Sequence, residues 1–372
     1  MTSSEFDQFR PPRAPRKGAG GKADVRKGGG KGRGGRGDDL MVPQVEVEHL
    51  DARGYYGHPV VKAPPWEWPV GAYLFLGGVA GGSGLLALGA QLTGAAALRR
   101  NTRLTALGAA GLGAVALMVD LGRPERFLHM LRTFKVTSPM SVGSWILVGY
   151  SSFIGVAAVG EVDRLTADRL PFGPLRPVLR AAEGPAGIAA AGLAAPLAAY
   201  TAVLLGDTAM PTWNAVHRDL PFVFVSSASL AAAGAALVTT PGQEAGPART
   251  LAVLGVIGDV VATRVMEKRA DPVAIEPLHH GTPGKLLRWA ERLAVAGGVG
   301  ALLAGGRRGR VRRGVAALSG ATLLAASACT RFGVFEAGLE SAADPRYTIE
   351  PQKRRLARRR AEGITGDSIT GL

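Results

Sequence analysis

The densest chemistry in the sequence lies in one short segment, Asp120-Leu121-Gly122-Arg123-Pro124-Glu125-Arg126-Phe127-Leu128-His129. It follows directly on an apolar run and gathers carboxylates, guanidinium groups and an imidazole within ten residues. An imidazole such as His129 suits proton delivery. Asp120, at the end of the run, can relay a proton or hold Arg123. With Glu125 and Arg126, these groups can hydrogen-bond and protonate a ligand held at a membrane surface. The same residues also read as an interfacial helix with snorkelling arginines, in which Arg123 and Arg126 pair with Glu125 or with a partner subunit.

A second set of charges lies deeper in the apolar runs. Asp207 ends one run, Asp259 falls near the middle of another, and Glu291 lies inside a third. Carboxylates at membrane depth are costly and usually functional. Asp259, with Arg264 about a turn away, reads as part of a proton path. It reads equally as a structural Asp–Arg or Asp–Ser pair inside a bundle.

The elements that hold these residues follow from the segregation of charge. About twenty apolar residues span a bilayer core, and the chain has about eight such runs. They are predicted at residues 69–92, 101–121, 141–160, 184–206, 220–240, 247–267, 286–305 and 312–332. Arg288, Glu291 and Arg292 intrude on the seventh, and Arg331 lies at the end of the eighth. The fold class is therefore all-α and polytopic. Abundant Gly and Ala, beginning with Gly77, Gly78, Gly81, Gly82 and Gly84, predict a tight bundle. Trp66 and Trp68 precede the first run, where indole rings favour the interface. Ser138-Pro139 opens the third run with a helix start signal.

Three regions result: a basic tail and linker over 1–65, a transmembrane domain over 66–340 and a basic C-terminal tail over 341–372. The Gly-rich, basic first forty residues are expected to be disordered, and they carry no apolar stretch of the kind a secretory signal needs. The net charge of +15 is carried by tails and loops. It reads as topology in a cell membrane rather than as nucleic-acid binding. An even number of spans puts both termini on one side, and their basic character makes that side the cytoplasm. The basic loops near 99–103 and 307–313 would lie opposite.

The single cysteine, Cys329, excludes an intrachain disulfide and an iron–sulfur cluster or zinc site built on several thiolates. The six histidines, His49, His58, His129, His217, His279 and His280, all fall in the tail or in predicted loops. No pair lies at membrane depth, so no haem is expected.

Three stretches carry a resemblance to a known family: the Tyr73-to-Gly82 start of the first run, the DLGRPERF loop continuing into SPMSVGSW (138–145), and TAVLLGDTAMPTW (201–213). Over residues 66–340 the sequence resembles the NrfD/PsrC family, membrane subunits of polysulfide-reductase-like molybdoenzyme complexes. The resemblance implies eight helices in two four-helix bundles. It implies a protein that exchanges electrons between a ferredoxin-like iron–sulfur subunit and menaquinone or another quinone. It also implies that a molybdopterin catalytic subunit, formate dehydrogenase-like or polysulfide reductase-like, sits on the iron–sulfur protein. The first bundle would hold the quinone. Trp66, Tyr73, Gly77, Gly78, Asp120, Arg123, Glu125, Arg126, His129 and Trp145 are the expected site, with Asp120, Asp259 and Arg264 on a proton path. The protein would then be a quinone-reactive subunit of an oxidoreductase without a catalytic centre of its own. A secondary transporter, or an anchor with no redox role, are the competing readings.

Overall fold

The computed structural model describes residues 59–121, 125, 129, 131–305 and 309–363. The basic N-terminal tail lies outside the described residues, as do Arg123 and Arg126 of the charged loop. The described residues are helical, and every predicted run lies in a helix or overruns its end by no more than two residues. In sequence order these are α1 (Trp68–Leu92), α2 (Ala96–Asp120), α3 (Pro139–Leu165), α4 (Leu175–Gly206), the short α5 (Pro211–Ala215), α6 (Leu220–Thr239), α7 (Gly246–Arg269), α8 (Gly281–Leu303), α9 (Arg310–Ala343) and α10 (Arg346–Ala361).

Helices α1, α2, α3, α4, α6 and α9 are long and apolar enough to cross a membrane. Helices α7 and α8 are each long enough to span but carry charged residues such as Asp259 and Glu291 along their length. The protein is a multi-pass membrane protein. Expectation and structure differ most at α9. Arg331 reads as the end of a span, but the helix runs on to Ala343 and takes the arginine inside it. Within the basic C-terminal tail the structure forms α10.

The local causes of these helices are visible at their ends. The Ser138 side chain accepts a hydrogen bond from the Ser141 amide, with Pro139 in the first turn, so α3 starts where the sequence places its cap. Glu244 accepts from the amides of Ala97 and Leu98 at 2.7 and 3.2 Å, closing the N-terminus of α2, which otherwise has no side-chain cap. Arg313 donates to the carbonyls of Leu237, Val238 and Thr240, which the end of α6 leaves unpaired. Pro185 and Pro196 lie inside α4, where neighbouring helices can satisfy the freed backbone groups.

Helices α1–α4 pack as one group and α6–α9 as another, joined chiefly by α1 against α6. Small residues set that junction. A Cβ at Gly82 of α1 would come within 2.5 Å of the Ala228 carbonyl oxygen of α6, so only glycine permits the approach. At one membrane face the start of α1 meets the end of α9. Trp66 stacks on Trp213 of α5 at 5.9 Å between ring centroids, and Trp213 stacks on Phe335 of α9 at the same distance. We call this the entry face.

Candidate functional site

The first bundle brings four helices together around Tyr73. This residue lies in the second turn of α1 and is 2% exposed. Its hydroxyl has no hydrogen-bond partner in the structure. A buried hydroxyl left unpaired costs about 1–3 kcal/mol, so this one calls for an explanation. One turn further along α1, a Cβ at Gly77 would meet nothing within 4 Å. Tyr73 and Gly77 therefore share a helix face that has room beside it.

The walls of this place come from the other three helices. Tyr200 of α4 holds its ring 6.4 Å from that of Tyr73, tilted by 59°. Gly143 of α3 leaves the space that the Tyr200 ring fills, and Gly113 of α2 lies against the Tyr73 ring. Two tyrosines thus face each other near the entry face, with glycine from each of the remaining helices giving them room. Tyr200 was not anticipated from the sequence. The one signal was its position, immediately before the TAVLLGD stretch that carries the family resemblance.

The charged loop follows α2 on the same face. Asp120 is the last residue of α2 and is half-buried, while Glu125 and His129 are exposed. The backbone is tied down again before α3: the Ser141 hydroxyl accepts from the Lys135 amide at 3.0 Å and donates to the Thr133 carbonyl at 3.1 Å. Trp145 is exposed and meets Phe134 edge-on, ring centroids 6.2 Å apart. Trp145 and Trp66 are not brought together: Trp66 belongs to the stack on Trp213.

Gly78 makes room for a side chain of the other bundle. A Cβ there would lie 2.8 Å from the guanidinium of Arg331. Arg331 is 0% exposed. It donates to the Phe224 carbonyl, to the Thr201 hydroxyl at 3.3 Å and to the Ser227 hydroxyl at 3.4 Å. Four helices, α1, α4, α6 and α9, converge on this cation, and Asp259 of α7 is its electrostatic counterpart.

Asp259 is buried, and one of its carboxylate oxygens has no hydrogen-bond partner. It lines a cavity of about 210 Å³ with Thr263, Glu267, His279, Glu291 and Thr330. Arg264 also lines this cavity, but its ion pair is with Glu291 of α8, at 3.7 Å. Polar groups thus lead from His279, at the entry-face start of α8, to a carboxylate near the middle of α7.

At the opposite face the first bundle holds a buried charge network. Arg103 of α2 is 1% exposed and bonds Glu183 of α4, Glu161 of α3 at 3.0 Å and Gln91 of α1 at 2.7 Å. Arg99 and Arg164 complete the ring around Glu161, at 2.7 and 2.9 Å. This network holds the ends of four helices together and was not anticipated from the sequence.

Residues 59–263 match the family model described as polysulphide reductase, NrfD. The sequence is 29% identical to the polysulfide reductase C subunit of Wolinella succinogenes over 172 residues, 44% of this protein and 54% of that one. It is 30% identical to protein NrfD of Escherichia coli over 196 residues, 46% of this protein and 58% of that one. The matched stretches thus span little more than half the length of these relatives. The family model spans more than half of the sequence, and it includes Tyr73, Gly77, Tyr200 and Asp259. The protein belongs to the NrfD family of polysulphide reductase membrane proteins.

Proposed function

We propose that this protein is the quinone-reactive membrane subunit of a molybdopterin oxidoreductase complex. In this reading it anchors a ferredoxin-like iron–sulfur subunit and passes electrons between that subunit and menaquinone. The catalytic subunit it serves is polysulfide reductase-like or formate dehydrogenase-like. One observation carries the reading: the buried Tyr73 hydroxyl has no hydrogen-bond partner among the described residues, one turn along α1 from Gly77, where a side chain would meet nothing.

A quinone ring is flat and apolar with two carbonyl acceptors, and its reduction takes up two electrons and two protons. Tyr73 supplies a donor for one carbonyl, Gly77 supplies width, and Tyr200 supplies an aromatic wall. Asp120, Arg123, Glu125, Arg126 and His129 form the polar mouth through which protons arrive, next to the surface on which the iron–sulfur partner sits. Trp145, exposed at the start of α3, and Trp66, in the stack before α1, flank this mouth at interfacial depth. Gly78 contributes indirectly by letting Arg331 approach α1.

The cavity at Asp259 supports a second role, proton movement within α6–α9. Asp259 carries the proton, and Arg264, paired with Glu291, keeps the cavity polar along the way. A protein doing both belongs in the cell membrane, and we place both termini in the cytoplasm on the basic character of the two tails.

The test is to purify the protein with its neighbouring subunits and follow the partner's clusters by EPR as menaquinone analogues are added. Wild type equilibrates with quinone. Asp120→Asn and His129→Ala slow that equilibration at least about tenfold if they deliver protons. Clusters that never respond to quinone would leave the protein a structural anchor or a transporter.

A further inference from the structure

We infer that the cleft between α10 and the ends of α6 and α7 binds the phosphate of an anionic phospholipid. The cleft has a volume of about 790 Å³. Five arginines line it, Arg218 before α6, Arg269 at the end of α7, and Arg354, Arg355 and Arg358 of α10. Only two carboxylates share it, and both are engaged. Asp219 accepts from Arg269 at 2.9 Å, and Asp271 lies 3.5 Å from Arg354. Arg218 and Arg355 are exposed and have no ion pair among the described residues. Two uncommitted guanidinium groups from separate elements, facing one cleft, form a fork for a tetrahedral oxyanion.

Depth identifies the source of that anion. Helix α6 has 20 residues, so it is about 30 Å long, the thickness of a hydrocarbon core. Its first residue, Leu220, therefore marks the boundary of the acyl chains, and Arg218 stands at the level of the phosphates. Phe222, 65% exposed in the first turn of α6, offers apolar surface just below. Helix α10 is secured over the same level by Arg346, which pairs with Glu276 at 2.8 Å. Its exposed Ile349 and Leu356 lie two turns apart on one side, the pattern of a helix resting in an interface. A soluble acidic partner would meet the charges but leave Phe222 bare. A lipid satisfies both.

Native mass spectrometry of the detergent-purified protein, titrated with phosphatidylglycerol or phosphatidylcholine, tests this directly. The wild type retains phosphatidylglycerol in preference to phosphatidylcholine. The Arg218→Gln/Arg355→Gln double variant binds phosphatidylglycerol about tenfold more weakly, and the Arg218→Lys/Arg355→Lys variant recovers most of the affinity. A matching melting temperature for the three proteins establishes that folding is intact. Three outcomes overturn the inference: equal phosphatidylglycerol binding by wild type and the Gln variant, displacement of the lipid by an equal concentration of glycerol phosphate, or a Gln variant that keeps its lipid and loses only a co-purifying acidic protein.

Discussion

Arg331 of α9 and Phe224 of α6 are joined twice. The guanidinium donates to the Phe224 carbonyl oxygen, and its carbon lies 3.9 Å from the centre of the Phe224 ring. A desolvated cation over an aromatic face contributes about 2 kcal/mol, and the carbonyl supplies the acceptor that burial demands. A full guanidinium can thus stand at membrane depth where two bundles meet.

Arg331→Met should lower stability by about 2–3 kcal/mol, because it strands the acceptors that the guanidinium serves. Gly78→Ala should cost about 1–3 kcal/mol by pressing a methyl group into the same guanidinium. With Arg331→Met already present, Gly78→Ala should cost much less. Thermal unfolding of the four proteins in detergent reads this coupling, and additive losses would separate the two residues.

Tyr73→Phe removes only the unpaired hydroxyl. Its melting temperature should stay at or slightly above that of the wild type, since no bond is lost. Its rate of cluster oxidation by a menaquinone analogue should fall about tenfold. A variant that reacts as fast as wild type would make Tyr73 a packing residue.

Asp259→Asn keeps shape and removes the ionisable group. Electron transfer to quinone should continue, while proton uptake into the interior of proteoliposomes, followed with a pH-sensitive dye, should fall by at least half. Unchanged uptake would leave the cavity a structural feature of α7 and α8.

Arg103→Leu leaves Glu161 and Glu183 short of their shared cation. The expected loss is about 3–5 kcal/mol, seen as a lower melting temperature and earlier proteolysis of α2–α4. Arg310→Leu, at the exposed start of α9, should leave the melting temperature within error.

The helices were readable because lipid demands long apolar runs, and each predicted run falls within a helix or overruns its end by no more than two residues. The end of α9 was not, because Arg331 looks like a boundary until its acceptors on α4 and α6 are in place. Arg103 shows the same limit, since its partners Glu161 and Glu183 come from two other helices. In the candidate site, Tyr73 and Gly77 were expected from the family resemblance of the Tyr73-to-Gly82 stretch. Tyr200 did not, because a single tyrosine in an Ala-rich helix carries no period. Arg264 was matched to Asp259 by helical spacing, but its ion pair is with Glu291 of α8, at 3.7 Å.

The stack of Trp66, Trp213 and Phe335 has a consequence for synthesis. Trp66 leads into α1, which is made before α9, where Phe335 lies, and the Trp213 indole donates to the Val334 carbonyl at 2.7 Å. Trp66 thus waits for Trp213 of α5, and the stack is completed only when Phe335 of α9 follows. Until then the second face of the Trp213 ring lacks its Phe335 partner, and that end of the bundle stays unsealed.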